Sequence, residues 1–172
     1  MRARGAGAGD KDVEVESHPS RQPLAAMMLQ RIAVLIIDDS ELILQRLARM
    51  LVEQDGVGAV LKAATGREGV EMTHKFDPEL VILDIRMPGG SGLDVLPEIK
   101  SHDPSPTVAV LTNYPSADYQ KRCTELGADF FFEKATEFTK LLEVCSRLIT
   151  EKRASCCPTP SLDDDGGGSN EQ

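Results

Sequence analysis

Six consecutive apolar residues, Ile32–Ile37, are the feature that most restricts the fold of this chain. An unbroken apolar run of this length is typical of a strand that is buried on both faces, as in a parallel sheet covered by helices. Segments with helical spacing of apolar residues separate this run from four further strand-like segments: Val57–Ala63, Leu80–Leu83, Thr107–Leu111 and Asp129–Phe132. The alternation predicts an α/β fold with a parallel sheet of five strands and with five helices.

The helices are predicted from their caps and from their apolar periodicity. Ser40 is a candidate N-cap, and Thr65 with Glu68 has the spacing of a capping box. The predicted helices cover residues 41–53, 65–75, 92–100, 115–126 and 138–149, each to within a residue or two. The third helix is the weakest, because Pro97 lacks a backbone donor and is expected to kink or shorten it.

A chain of 172 residues has room for one domain of ordinary size. We expect this domain over residues 31–150, between a disordered leader (residues 1–30) and a disordered acidic and Gly-rich tail (residues 151–172). Met27 and Met28 precede the folded part and are candidates for the true start. Cys156 and Cys157 form a vicinal pair in the tail, which fits neither a disulfide framework nor a zinc site.

Charge and hydropathy exclude several classes of function. The net charge of -9 argues against generic binding to nucleic acid or to an anionic membrane. The longest apolar runs have only six residues, which is too short to span a bilayer. We therefore expect a soluble, cytoplasmic protein that binds neither nucleic acid nor membrane.

Polar residues close several of the predicted strands. Asp38 and Asp39 follow the first, Asp84 follows the third, Thr112 follows the fourth and Lys134 follows the fifth. Functional groups of an open parallel sheet collect at the carboxyl ends of its strands, so these side chains are expected in one acidic pocket with one cation. This is the chemistry of a phosphate acceptor.

Each of these residues also has a structural explanation when it is taken alone. An Asp after a buried strand is commonly a helix cap, Thr112 is a plausible turn residue, and Lys134 is a plausible solvated charge. Their joint placement at the converging strand ends is what favours a functional site.

Several motifs stand in an order and spacing that resemble the receiver domain of bacterial two-component response regulators, over residues 31–150. They are Asp38-Asp39, Leu80–Gly89 followed by Ser91-Gly92, Leu111-Thr112, and Gly127-Ala128 ahead of Lys134. The resemblance implies a doubly wound, flavodoxin-like (βα)5 fold with strand order 2-1-3-4-5. It also implies that Asp84 is the phosphoacceptor of a phosphorelay.

Three crowded carboxylates require a cation, because each like-charged pair at about 4 Å costs on the order of 4 kcal/mol at an effective dielectric constant of about 20. Mg²⁺ fits, since it prefers oxygen ligands and bridges carboxylates to a phosphoryl group. We expect direct ligation by Asp39 and Asp84 and a water-mediated contact by Asp38. The resemblance implies the backbone carbonyl of Arg86 as a third ligand.

Lys134 and Thr112 are expected to bind oxygens of the phosphoryl group. The resemblance implies that Thr112 and Phe131 form the switch, with Phe131 at the position of the switch aromatic. A histidine kinase or phosphotransfer protein would be the donor, and a downstream protein would dock on residues 114–149. A phosphorylation-dependent homodimer is a further expectation. No enzymatic activity is expected beyond Mg²⁺-assisted self-phosphorylation and self-dephosphorylation.

Three positions depart from the family pattern. Ala135 replaces a common proline, so the usual cis peptide bond after Lys134 is expected to be absent. Asn113 replaces a small residue and can alter donor access or the lifetime of the phosphoryl group. Phe131 lacks the polar group of Tyr or His, so a rotamer switch there would be purely steric.

Two alternative functions remain open at this point. The first is a constitutive interaction module that keeps the pocket without using it. The second is an aspartyl-phosphate phosphatase of the haloacid-dehalogenase type, which needs a second Asp where this chain has Arg86. Only 23 residues follow Ile149, and they are too few and too polar for a DNA-binding or enzymatic output domain, so we expect a stand-alone receiver.

Overall fold

The protein is described by a computed structural model that covers residues 31–156. The strands of this region are β1 (Ile32–Ile37), β2 (Val57–Ala63), β3 (Leu80–Leu83), β4 (Arg86–Met87), β5 (Gly90–Ser91), β6 (Thr107–Thr112) and β7 (Phe130–Glu133). Strands β4 and β5 form a short antiparallel hairpin after β3. The five other strands form one parallel sheet in the order β2-β1-β3-β6-β7. The predicted fold and the 2-1-3-4-5 order are confirmed, since the hairpin strands are not part of this sheet.

Within the part of the chain that the structure describes, five helices cover the two faces of the sheet. They are α1 (Glu41–Val52), α2 (Gly66–Phe76), α3 (Gly92–Lys100), α4 (Ala117–Glu125) and α5 (Phe138–Cys156). Val34 and Ile36 pack on one face with α1 and α5, whereas Leu35 and Ile37 pack on the other with α2 and α3. Both faces of β1 are covered by helices, so neither face can carry polar side chains. This is why the apolar run of β1 is unbroken. Among the described residues, no helix combines the length and apolarity needed to cross a bilayer.

Helix ends follow the predicted caps with some differences. Thr65 Oγ1 accepts a hydrogen bond from the Glu68 N–H at 3.2 Å, which is one half of the predicted capping box. The Glu68 side chain accepts from the Ala64 N–H at 2.8 Å and not from Thr65, so the second half is not formed. Ser40 occupies the N-cap position of α1, but its side chain makes no capping bond. Helix α4 starts two residues later than predicted, because Ser116 caps it by accepting from the Tyr119 N–H at 3.2 Å. Pro97 does not shorten α3, which keeps its predicted bounds.

The last helix differs most from its prediction. Helix α5 runs to Cys156 and thus includes residues 151–156, which were expected to be disordered tail. Two ion pairs tie this extension to the domain: Lys152 with Glu79, and Arg153 with Asp55 at 3.1 Å. Neither partner is near in sequence, so helical periodicity could not reveal them. The predicted leader (residues 1–30, with the candidate start at Met27) and the remaining tail from residue 157 lie outside the described residues.

Candidate functional site

The strand ends bring together the acidic residues and the lysine. The Asp84 N–H donates to the Ile37 carbonyl at 2.9 Å, and the Lys134 N–H donates to the Thr112 carbonyl at 2.8 Å. Asp38 follows directly on β1, which lies beside β3. These backbone hydrogen bonds extend the pairing of the strands past their ends and fix the side chains at one edge of the sheet.

Lys134 bridges two carboxylates at this edge. Its Nζ lies 2.6 Å from Asp38 Oδ2 and 2.9 Å from Asp84 Oδ2. The three side chains are 4%, 3% and 7% exposed, respectively. Asp39, in contrast, is exposed. The site therefore has a buried cation–carboxylate group and one carboxylate that reaches solvent.

Burial and charge shift the pKa values in this group. The pKa of Asp84 is raised, chiefly because burial disfavours the carboxylate and also because Asp38 is negative, although Lys134 and a backbone hydrogen bond from Arg86 oppose the shift. Burial alone would lower the pKa of Lys134, but its hydrogen bonds and charge interactions with Asp38 and Asp84 outweigh burial and raise it. Lys134 is thus held as a cation.

The acidic residues are arranged as a candidate cation site. One carboxylate oxygen from each of Asp38, Asp39 and Asp84 lies within 4.8 Å of the others. They line a cavity of about 370 Å³ together with Lys134 and, among others, Arg86. An all-oxygen donor set on a cavity with room for water fits a hard divalent cation such as Mg²⁺. The predicted acidic pocket is therefore present.

The two proposed switch residues lie apart from the lining of this cavity. Thr112 is buried, and its Oγ1 accepts a hydrogen bond from the Tyr114 N–H at 3.1 Å. Phe131 packs with Val110 and Cys123 on the opposite side of β7 from the stacked rings of its neighbours Phe130 and Phe132. It lines a second cavity of about 410 Å³, which includes residues 115–117 of the segment that leads into α4.

Three features of the site were missed by sequence reasoning. The Arg86 guanidinium lies 4.3 Å from the centre of the Tyr114 ring, at the mouth of the cavity. The short hairpin that carries Arg86 was also not predicted. Gly92 packs against the strand end, because a Cβ at this position would lie 2.1 Å from the Asp84 carbonyl oxygen. The Ser91-Gly92 pair was noted only as part of a motif, and no local pattern signals the contacts.

The backbone after Lys134 agrees with the expectation drawn from Ala135. Within residues 31–156 the one cis peptide bond joins Asp103 to Pro104, so the bond from Lys134 to Ala135 is trans.

Comparison with known proteins identifies the family. The response regulator receiver domain family matches residues 34–146, and the chain belongs to this family. The chain is 40% identical over 110 residues to a putative transcriptional regulator of Pseudomonas aeruginosa, covering 63% of this chain and 52% of the relative. It thus spans about half of the length of that regulator.

Two further matches cover a larger share of the matched protein. The chemotaxis protein CheY of Halobacterium salinarum is 31% identical over 117 residues, which cover 68% of this chain and 96% of the relative. A response regulator of Burkholderia pseudomallei, solved with a phosphorylated aspartic acid and a calcium ion, superposes with a TM-score of 0.61. It is 25% identical, and the match covers 72% of each chain. This chain is therefore a receiver domain of two-component signalling.

Proposed function

We propose that Asp84 accepts a phosphoryl group from a histidine kinase or a phosphotransfer protein and that the modified domain then docks to a downstream protein. The observation that carries this proposal is the convergence of Asp84 with Asp38, Asp39 and Lys134 at the carboxyl edge of the sheet. A nucleophile, a cation-binding pair and a fixed positive charge are the parts that phosphoryl transfer to a carboxylate requires.

The transfer is a displacement at phosphorus. A carboxylate oxygen of Asp84 forms the new P–O bond, the P–N bond to the donor imidazole breaks, and the imidazole leaves with the bonding electrons and takes up a proton. Lys134 now neutralises Asp84 at 2.9 Å. After transfer its ammonium would pair with a phosphoryl oxygen, while its contact with Asp38 keeps it in place.

The contacts of each carboxylate support a division of labour at the cation site. Asp38 Oδ2 pairs with Lys134 and its Oδ1 accepts from the Ser40 N–H at 2.9 Å, so both oxygens are engaged. A water-mediated contact therefore suits Asp38. Asp39 is exposed, and with Asp84 and the Arg86 carbonyl it would bind Mg²⁺ directly. When bound, Mg²⁺ would neutralise charge on the transferring group and bridge it to the protein.

The switch requires two linked movements. Thr112 would exchange the Tyr114 N–H for a phosphoryl oxygen, and its hydroxyl would then act as a donor. The half-buried ring of Phe131 lies beside an open cavity and would move as β6 shifts. Such repacking would alter the proposed docking surface, residues 114–149. The domain would then act as a stand-alone receiver that binds a downstream protein through this surface, or it would form a homodimer.

Intact mass after incubation with acetyl phosphate and Mg²⁺ tests the acceptor. We expect one added phosphoryl group in the wild type and in Asp118→Asn, an exposed aspartate of α4, but none in Asp84→Asn. Uptake by Asp84→Asn would overturn the assignment. If the wild type takes up no group even from phosphorylated kinases, the domain is a constitutive interaction module. Continuous release of phosphate from phosphoesters would instead indicate a phosphatase.

A further inference from the structure

A pair of histidines lies at the edge of the sheet opposite to Asp84. His74 is in the last turn of α2, and His102 follows the C-terminus of α3. Their Nδ1 atoms are 3.1 Å apart, and their rings meet edge to face at 81°. The two side chains converge across 28 residues of sequence. Neither residue has a part in the phosphoryl chemistry.

A carboxylate fixes the tautomer of this pair. His102 Nε2 lies 2.7 Å from Asp77 Oδ1, and an ionised carboxylate can only accept, so His102 carries its proton on Nε2. The Nδ1 of neutral His102 therefore presents a lone pair toward His74. The His102 side chain is only 12% exposed, which holds the ring in this orientation.

We propose that His74 and His102 bind a divalent transition-metal ion of the zinc class through their Nδ1 atoms. Two bonds of about 2.0–2.1 Å to one ion place the nitrogens about 2.9 Å apart at a right angle and about 3.4 Å apart at the tetrahedral angle. The spacing of 3.1 Å falls inside this interval. Asp77 is a positioning residue, because carboxylates commonly orient metal-bound imidazoles through the second ring nitrogen.

Binding needs only a small rearrangement. The His74 ring, which is the exposed one, moves its proton from Nδ1 to Nε2 and turns so that both lone pairs meet at the ion. No net proton is released, since neutral imidazole exists as either tautomer. Water completes the coordination shell. Imidazole nitrogen favours Zn²⁺, Ni²⁺ and Cu²⁺ over Mg²⁺, so this site and the acidic pocket select different ions.

Zn²⁺ titration of the full chain in excess Mg²⁺ tests the proposal. Calorimetry gives the stoichiometry, and the ¹⁵N shifts of labelled imidazoles identify the ligands. The background carries His18→Gln, Cys156→Ser and Cys157→Ser, which removes the imidazole and thiol side chains that lie near the chain ends. We expect one Zn²⁺ per chain, with changes at Nδ1 of two histidines, and the same binding in Asp84→Asn.

The variants make the proposal falsifiable. His74→Gln changes an exposed side chain and should fold normally while saturable binding is lost. Asp77→Asn keeps a residue type that tolerates the left-handed backbone at φ 47°, and should weaken Zn²⁺ binding about tenfold. Absence of saturable binding up to millimolar Zn²⁺, or unchanged binding in His74→Gln, would overturn the proposal.

Discussion

Lys134 Nζ lies closer to Asp38 Oδ2, at 2.6 Å, than to Asp84 Oδ2, at 2.9 Å. The lysine is thus held by a carboxylate other than the proposed acceptor. It can release Asp84 to a phosphoryl group without becoming an unpaired buried cation, which would be costly. In this arrangement Asp38 holds the lysine and also lies in the candidate cation site.

Lys134→Met should destabilise the metal-free protein by about 3 kcal/mol, because it leaves two buried carboxylates without their cation. Mg²⁺ should bind more tightly to this variant and restore part of the loss, since the lysine and Mg²⁺ neutralise the same carboxylates. Urea unfolding with EDTA and with Mg²⁺ measures both effects. Lys140→Met, at an exposed lysine paired with Glu137, is the control and should be unchanged. Weaker Mg²⁺ binding in Lys134→Met would contradict this account.

Asp84→Asn should stabilise the Mg²⁺-free protein at neutral pH, because burial disfavours the carboxylate that the substitution removes. The pKa of Asp84 is raised in the folded state, so the folded state holds this proton more tightly than the unfolded state does. Asp84 therefore contributes a loss of stability as the pH rises from the ordinary value of 3.8 through the folded pKa, and the variant lacks this contribution. Unfolding in EDTA across this range measures the difference, which should disappear below pH 3.8. A stability gap that widens toward acid pH would contradict the sign.

Much of the fold follows from local signals. The strands β1 and β3 have the predicted bounds because each is an unbroken apolar run that ends at an aspartate. Strand β2 also has its predicted bounds, although Gly58 and Lys62 interrupt its apolar residues. The proximity of Asp38, Asp84 and Lys134 follows from the general geometry of parallel sheets, so sequence reasoning could place them at one edge. The proximity of these side chains does not by itself establish the roles that we propose for them.

Two of the unpredicted features depend on contacts between distant segments. The Arg86–Tyr114 pair joins the hairpin to the loop after β6, and its partners are 28 positions apart in sequence. Lys152 meets Glu79 across 73 positions. Propensity and periodicity describe a few turns of chain, so they cannot specify such pairs or a helix end that depends on them.

Gly92→Ala should destabilise the protein by about 2 kcal/mol and slow phosphoryl uptake, because the new methyl group would press on the Asp84 carbonyl oxygen. The strand end would have to move, and the carboxylate would move with it. Gly90→Ala is a matched control, since no atom lies within 4 Å of a Cβ there. Thermal unfolding and the rate of acetyl phosphate uptake compare the two. Equal behaviour would show that the backbone relaxes without cost.

Arg86→Ala and Tyr114→Ala should each shorten the lifetime of the phosphoryl group about two- to fivefold. This factor corresponds to the free energy of one exposed cation–π contact. The stacked pair lies at the mouth of the cavity, and its loss would admit water to Asp84. The double variant should behave as either single variant, because one contact is removed in all three. Loss of phosphate followed by intact mass gives the lifetimes, and Tyr119→Ala on α4 is the control. Additive effects would mean that the two residues act separately.

Ending the chain after Thr150 should lower the free energy of unfolding by about 1 kcal/mol relative to a chain ending after Cys156, because the shorter chain lacks the ion pairs of Lys152 and Arg153. The loss should be largely reproduced by Lys152→Met, since Glu79 Oε2 also accepts the Ala33 N–H at 2.6 Å and anchors the start of β1. Amide exchange at Ala33 reports this anchor directly. Equal stability and equal exchange in both chains would place the boundary of the domain at residue 150, as the sequence alone predicts.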